Sequence, residues 1–394
     1  MCSLVHLTSL DLSQNVFMGN IPREIRNCSK LKSLYLNDNM LDGKIPSELV
    51  NLSFLENLNL SFNNLSSTIP EEFGNLSSLS SFVASYNNIT GPLPHSIGNL
   101  KKLINFEARN DSIFGNLPSE IGGCKSLEFL DLFKNALGGS LPKEIGMLRW
   151  LKELYLAYNQ FSGFIPKDLG NCTKLGILDL HQNNLGGEIP AEIGKIKALT
   201  ILFLHNNRLT GTIPREIGNL STAIRIVLSN NEFLGAIPSE LGNLVQLQSL
   251  YLSYNNLSGN IPASLGNLCR LYGLGMVKNL LSGEIPNELG NLTQLTYLFL
   301  YQNKLYGNIP ALLGNLSSLR RLFLSQNLLS GEIPNQLGDL AQLTNLGLSE
   351  NKLSGNIPAA LGNLSCLNNL YLHQNLLSGE IPNELGNLAQ LESL

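Results

Sequence analysis

The stretch "LQSLYLSYNNLSGNIPASLGNL", residues 247–268, decides the fold, because variants of it run from one end of the chain to the other. Its Pro262 has a counterpart every 24 residues from Pro22 to Pro382, so sixteen prolines stand in one register without insertion or deletion; of the 17 prolines only Pro92 falls outside. Seven residues before each ladder proline stands an Asn, from Asn15 to Asn375, with Asp111 the one exception. Three residues before it stands a Gly, with Ser67 the one exception. A fixed period of this length means a repeat architecture, in which each copy is one supersecondary unit that buries its apolar face on its neighbours.

The letters of one copy follow from that geometry. In "LTSLDLSQN" the side chains of Leu7, Leu10 and Leu12 point inward and those between them outward, which is the alternation of a short strand with one buried face. Strands of successive copies stack in parallel at about 4.8 Å, so sixteen copies extend roughly 75 Å along a curved axis. The ladder Asn closes the turn after the strand. Its amide both donates and accepts, so it can pair backbone groups of adjacent coils. Gly gives the backbone freedom there, and Pro ends strand pairing. The following "xxLGNLxxL" returns Leu to inward positions in short 3₁₀ turns.

Composition adds exclusions. The 394 residues carry a formal net charge of -4 with no basic block, which points away from nucleic acid. No apolar run reaches the roughly 18 residues of a membrane helix, so no membrane contact by this segment is expected. The start, "MCSLVHLTSL", lacks the charged and apolar regions of a signal peptide and already lies inside a repeat.

The pattern LxxLxLxxNxLxGxIPxxLGNLxxL resembles the plant-specific class of leucine-rich repeats, and the resemblance covers the whole chain. It implies an α/β-class leucine-rich-repeat solenoid: a right-handed superhelix with a parallel concave sheet, a second flanking row of strands, and 3₁₀ turns on the convex side. The organisation expected is one array over residues 1–394, diverse to about residue 225. From about residue 260 the copies become near-uniform and paired, with "GNIPAxLGNL" at Gly259, Gly307 and Gly355 alternating with "GEIPNxLG" at Gly283, Gly331 and Gly379. The chain is similar to the ectodomain of a plant leucine-rich-repeat receptor-like kinase or receptor-like protein. That resemblance implies an extracellular, cell-surface domain without enzymatic activity or cofactor, a peptide or protein ligand on the concave face, and a co-receptor kinase ectodomain as a further partner. A secreted inhibitor of a wall-degrading enzyme, or a duplicated or engineered scaffold, is the alternative.

The chain departs from that family in several places. The paired-cysteine caps of such ectodomains are absent, and the array reads as a fragment. Cys28, Cys124 and Cys172 occupy a Leu column and read as buried thiols; Cys124 and Cys172 lie two coils, about 10 Å, apart, beyond disulfide reach. Many members hold a ligand's carboxy-terminus with an Arg-x-Arg pair on one strand, whereas Arg320 and Arg321 are adjacent and point differently. Of thirteen N-x-S/T sequons, eight fall in one column on the convex side, Asn27, Asn51, Asn75, Asn171, Asn219, Asn291, Asn315 and Asn363, where a glycan would leave the sheet face open.

Ten of the 11 tyrosines fall within the strand segment before the ladder Asn, almost all at outward positions, joined there by Phe129, Phe133, Phe203, Phe299 and Phe323. Strand propensity alone would favour inward and outward positions alike, so this bias marks a recognition surface. Its most varied stretch mixes aromatic anchors with both charges: Phe129, Asp131, Phe133 and Lys134; Glu153, Tyr155 and Tyr158; Asp179 and His181; Phe203 and His205; Arg225; then Tyr251 and Tyr254. Carboxylates there would take basic groups of an extended peptide, and Lys134 or Arg225 acidic ones. Asp179, His181 and His205 could hold zinc or pair a base with its orienter, but no third fixed ligand, nucleophile or enclosed pocket accompanies them, so no catalytic or metal site is assigned. Trp150, at the turn before Leu151, reads as an edge-packing residue. Phe82 with Ala84, and Phe106 with Ala108, replace Leu pairs at similar total volume. Asp111 can accept but not donate when ionised, so it marks a weak rung of the ladder or a joint.

Overall fold

The computed structural model describes Leu4 and residues 6–394, so Cys2 lies outside the described residues. The chain forms two compact units, Met1–Leu199 and Thr200–Leu394. In the first, three-residue strands run in chain order from Ser9–Asp11 to Ile177–Asp179, each parallel to the next. Pairing is between identical repeat positions, as in Phe129↔Glu153, Leu130↔Leu154 and Asp131↔Tyr155. The second unit repeats the arrangement from Ile201–Phe203 to Asn369–Tyr371. Both are leucine-rich-repeat coils with parallel strands on one side and five-residue 3₁₀ turns, such as Lys143–Met147, on the other.

The inward Leu columns form the core. Leu154 and Leu156, like Leu250 and Leu252, are fully buried. Cys28, Cys124 and Cys172 are buried free thiols in this column. The Cys124 thiol donates to the Ile97 carbonyl at 3.1 Å, and burial pushes its pKa up to about 11. The exchanged pairs pack together: Phe82 and Phe106 stack with centroids 5.7 Å apart above fully buried Ala84 and Ala108.

The Asn ladder satisfies the turn backbone. Asn159 Nδ2 donates to the carbonyls of Leu132, Leu156 and Ala157 at 2.9, 3.1 and 3.2 Å, while its Oδ1 accepts from Leu137 N at 3.0 Å. One amide thus joins two coils. The residue before each ladder position takes a left-handed backbone, from Gln14 to Gln374, with φ of 55° at Lys134, 53° at Tyr158 and 58° at Tyr254. The repeat pattern gave no sign of this, because that column holds ordinary side chains rather than Gly.

The flanking strands form as expected. In the first unit they run from Met18–Asn20 to Asn184–Gly187. In the second they form one set, Leu234–Ala236, Asn256–Gly259 and Leu280–Leu281, and another from Tyr306–Gly307 to Leu376–Leu377. The ladder Gly beside this row has positive φ; Ser67, the exception, adopts φ 79° at the same place. The glycine of "LGNL" serves close approach instead: a Cβ on Gly98 would lie 2.3 Å from the Glu120 carbonyl oxygen of the next coil.

Candidate functional site

The outward side chains of the first unit's strands form two aromatic groups over a polar floor. Phe129 and Tyr155, diagonal neighbours on adjacent strands, have ring centroids 5.6 Å apart. One column further on, Phe133 and Tyr158 lie 5.2 Å apart and Tyr158 and His181 4.9 Å apart, each edge to face, with Phe133 6.4 Å from His181. The left-handed turn at Tyr158 leaves its ring 45% exposed beside exposed Lys134.

The carboxylates differ from the sequence expectation. Asp131 is 1% exposed, and its carboxylate accepts from Arg109 Nη1 at 3.0 Å and from Phe133 N at 2.9 Å. Burial raises its pKa, opposed by these hydrogen bonds and the Arg109 charge. Asp179 is likewise buried, with its Oδ1 2.5 Å from His181 Nδ1. Glu153 accepts from the Tyr155 hydroxyl at 2.8 Å, and burial, then this bond, push the Tyr155 pKa well up. The three acids therefore hold Arg109, His181 and Tyr155 in place instead of standing open to take a ligand's basic groups. Strand alternation could not show this, because neighbouring side chains on the same face decide how far a short Asp is covered.

Arg109 and Tyr86 belong to the same surface, although neither was among the candidate binding residues. The guanidinium lies 5.6 Å from the Tyr86 ring centroid and donates to the Tyr86 hydroxyl at 3.4 Å; Tyr86 in turn stacks on Phe62 at 4.4 Å. Their signal was present in the outward columns of the preceding repeats. Beside them, Asp111 breaks the ladder. Its Oδ1 accepts from Ile89 N at 2.9 Å and Asn87 N at 3.2 Å, whereas its buried Oδ2 has no partner. Burial raises its pKa to about 7.

In the second unit Phe203 and His205 meet edge to face at 5.8 Å, and Arg225 is exposed. The Tyr251 ring lies across the strand Gly273–Gly275: a Cβ on Gly273 would meet its hydroxyl at 2.3 Å and one on Gly275 its Cδ1 at 2.7 Å. Lys278 Nζ stands 5.5 Å from the Tyr254 ring centroid. Further along, Phe299, Tyr301, Phe323, Ser325 and Tyr371 line a hollow of about 320 Å³. The sequence placed these aromatics on the face; side-chain packing gathers them.

Arg320 and Arg321 are both exposed, and the Arg321 guanidinium lies 5.9 Å from the Tyr297 ring. All eight convex-column asparagines, Asn27 to Asn363, are exposed at the last position of a 3₁₀ turn. Trp150 is not packed at an edge: it is 51% exposed, with Lys174 Nζ 3.3 Å from its ring centroid, because the turn that carries it projects from the core. Among the described residues no three His, Cys, Asp or Glu side chains gather as a metal site would require, and no helix is long and apolar enough to cross a membrane.

This array of strand-face aromatics on leucine-rich coils defines a class. The chain belongs to the leucine-rich-repeat family, whose model matches residues 6–28, 30–52, 54–76, 78–100, 150–172, 174–196, 198–220, 224–244, 246–268, 294–316, 318–340, 342–364 and 366–388. Within that family it is similar to plant receptor ectodomains. The crystal structure of a TDR receptor is 33% identical, with a TM-score of 0.92, over 99% of this chain and 68% of that one. The Arabidopsis receptor kinase HAESA, solved with the peptide hormone IDA and the co-receptor SERK1, is 37% identical, with a TM-score of 0.85, over 98% of this chain and 69% of that one. The plant peptide hormone receptor RGFR1, solved with RGF2, is 35% identical, with a TM-score of 0.77, over 100% and 74%. No catalytic family is indicated, and no curated protein sequence matches this chain.

Proposed function

We propose that the chain is the extracellular ligand-recognition domain of a plant-type leucine-rich-repeat receptor, and that its ligand is a secreted peptide bound on the strand face. The observation that carries this reading is the first unit's group of Phe133, Tyr158 and His181 beside Phe129 and Tyr155. These side chains lie outside the buried Leu core, and rigid aromatic anchors lose little conformational entropy on binding. The relatives' peptide complexes support the ligand class, and the HAESA complex supports recruitment of a co-receptor ectodomain by the bound form. With Asp131 and Asp179 buried, the open charge beside the aromatics is Lys134. The peptide therefore presents an apolar side chain to Tyr158 and an acidic group to Lys134. Asn27, Asn51, Asn75, Asn171, Asn219, Asn291, Asn315 and Asn363 carry glycans away from that surface.

The test is titration of the full, glycosylated chain with a library of secreted plant peptides, beside a Phe133→Ala, Tyr158→Ala double variant. A peptide that binds the parent and loses about a hundredfold in the variant supports the reading. Absence of any binder to folded, monomeric protein shifts it to the inhibitor or scaffold alternative.

A further inference from the structure

The side of the first unit opposite its strands carries a charge pattern that the ligand-recognition reading does not use. Seven residues after the ladder proline, twelve of the sixteen copies have an uncharged residue; Lys101, Lys125, Arg149 and Lys197 are the four exceptions, in four of five consecutive copies. Beside this column stands Trp150, the single tryptophan of the chain. Its indole, 51% exposed, borders a hollow of about 390 Å³ lined also by Lys125, Lys143, Arg149 and one carboxylate, Asp168. Lys174 does not line the hollow but sits over the indole at 3.3 Å, holding the ring in position. Lys125, Lys143 and Arg149 are exposed and make no ion pair among the described residues.

A half-exposed indole next to unpaired cations offers a flat apolar platform and a local focus of positive potential. Lys125 and Arg149 recur at one position of adjacent coils and are one coil rise apart, and the coils pack closely on this side: a Cβ on Gly122 would lie 2.6 Å from the Glu144 carbonyl oxygen. A linear polymer with one negative charge per repeating unit of similar rise matches that row, and a pyranose ring has the flat C–H face that stacks on an indole. An acidic peptide has the charge but not the stacking face.

We propose that the hollow at Trp150 is a binding site for a linear acidic polysaccharide, with one sugar stacked on Trp150 and neighbouring negative groups held by Lys125, Lys143 and Arg149. The site is independent of the strand face, so such a polymer and a peptide ligand bind together. Charge pairing supplies the long-range attraction and a salt dependence; the indole supplies the discrimination between glycan and other polyanions.

The experiment uses the full chain both in glycosylated form and as Asn171→Gln, because Asn171 lines the hollow, and failure of both forms to bind overturns the proposal. Each form is titrated with a linear polyuronate oligomer, the same oligomer fully methyl-esterified, a singly sulfated glycan on an equivalent backbone, and a poly-glutamate of equal charge. Expected is binding of the uronate or the sulfated glycan, loss of about tenfold in Trp150→Ala, and a salt slope reduced by roughly one for each of Lys125→Gln and Arg149→Gln. Carboxylate and sulfate as the charged group are told apart by which of the two binds. Poly-glutamate binding as tightly as the glycans, retention of the methyl ester, or an unaffected Trp150→Ala variant overturns the proposal. All four substitutions are at exposed side chains, and an unchanged melting curve confirms that each variant is folded.

Discussion

Asp111→Asn is the substitution whose consequence can be worked most fully from the structure. The neighbouring rung shows what is missing: Asn135 Nδ2 donates to the carbonyls of Ala108, Leu132 and Phe133 at 2.7, 3.2 and 3.5 Å. By the same register an amide at position 111 faces the carbonyls of Ala84, Ala108 and Arg109, and ionised Asp111 puts the bare Oδ2 there. Its pKa is raised from 3.8 to about 7 by burial, with no charged partner to offset it. A carboxyl raised in this way binds its proton better folded than unfolded. Its contribution to stability is fully present below pH 3.8 and is lost as pH rises through about 7. Three pKa units correspond to about 4 kcal/mol, which partial solvent exposure reduces to about 2 kcal/mol. Protonated Asp111 can donate to one of the carbonyls; the neutral amide of the variant donates at every pH. The gain from Asp111→Asn is therefore small near pH 4, grows to about 2 kcal/mol by pH 8, and is flat above. In a solenoid the effect is local, so amide exchange read at Ala84 to Asn135, at pH 4.5, 6 and 8, is the appropriate assay, with urea unfolding beside it. A difference between parent and variant that does not change with pH refutes the reasoning.

Other outcomes follow from single contacts. Ser67→Gly relieves a side chain held at φ 79° and raises stability by about 1 kcal/mol, seen in the urea midpoint. Gly98→Ala forces a Cβ to 2.3 Å from the Glu120 carbonyl and separates two coils; thermal unfolding should show a loss of about 2 kcal/mol. Arg109→Ala leaves the buried Asp131 carboxylate with the Phe133 N–H but no countercharge and costs about 3 kcal/mol, and Asp131→Asn added to it restores much of the loss, as a double-mutant cycle would read.

The sequence by itself determined the coil. The ladder prolines, the Asn column and the Leu positions fixed period, strand, turn and core, because each is imposed by packing one coil on an identical neighbour. It also placed the aromatics outward, since strand alternation is a local property. It could not determine what those outward side chains do to one another. That Asp131 sinks beneath Arg109, that Tyr251 lies flat on Gly273 and Gly275, and that Phe299, Tyr301, Phe323 and Tyr371 enclose a hollow depends on side chains 22 to 72 residues apart meeting across coils. The same is true of Trp150: its letter suggests packing, and only the projection of the turn that follows Lys143–Met147 leaves it open among Lys125, Lys143 and Arg149. A repeat dictates its own geometry because every copy must fit the next. The positions that packing leaves free are set by tertiary neighbours, and they are where the candidate sites lie.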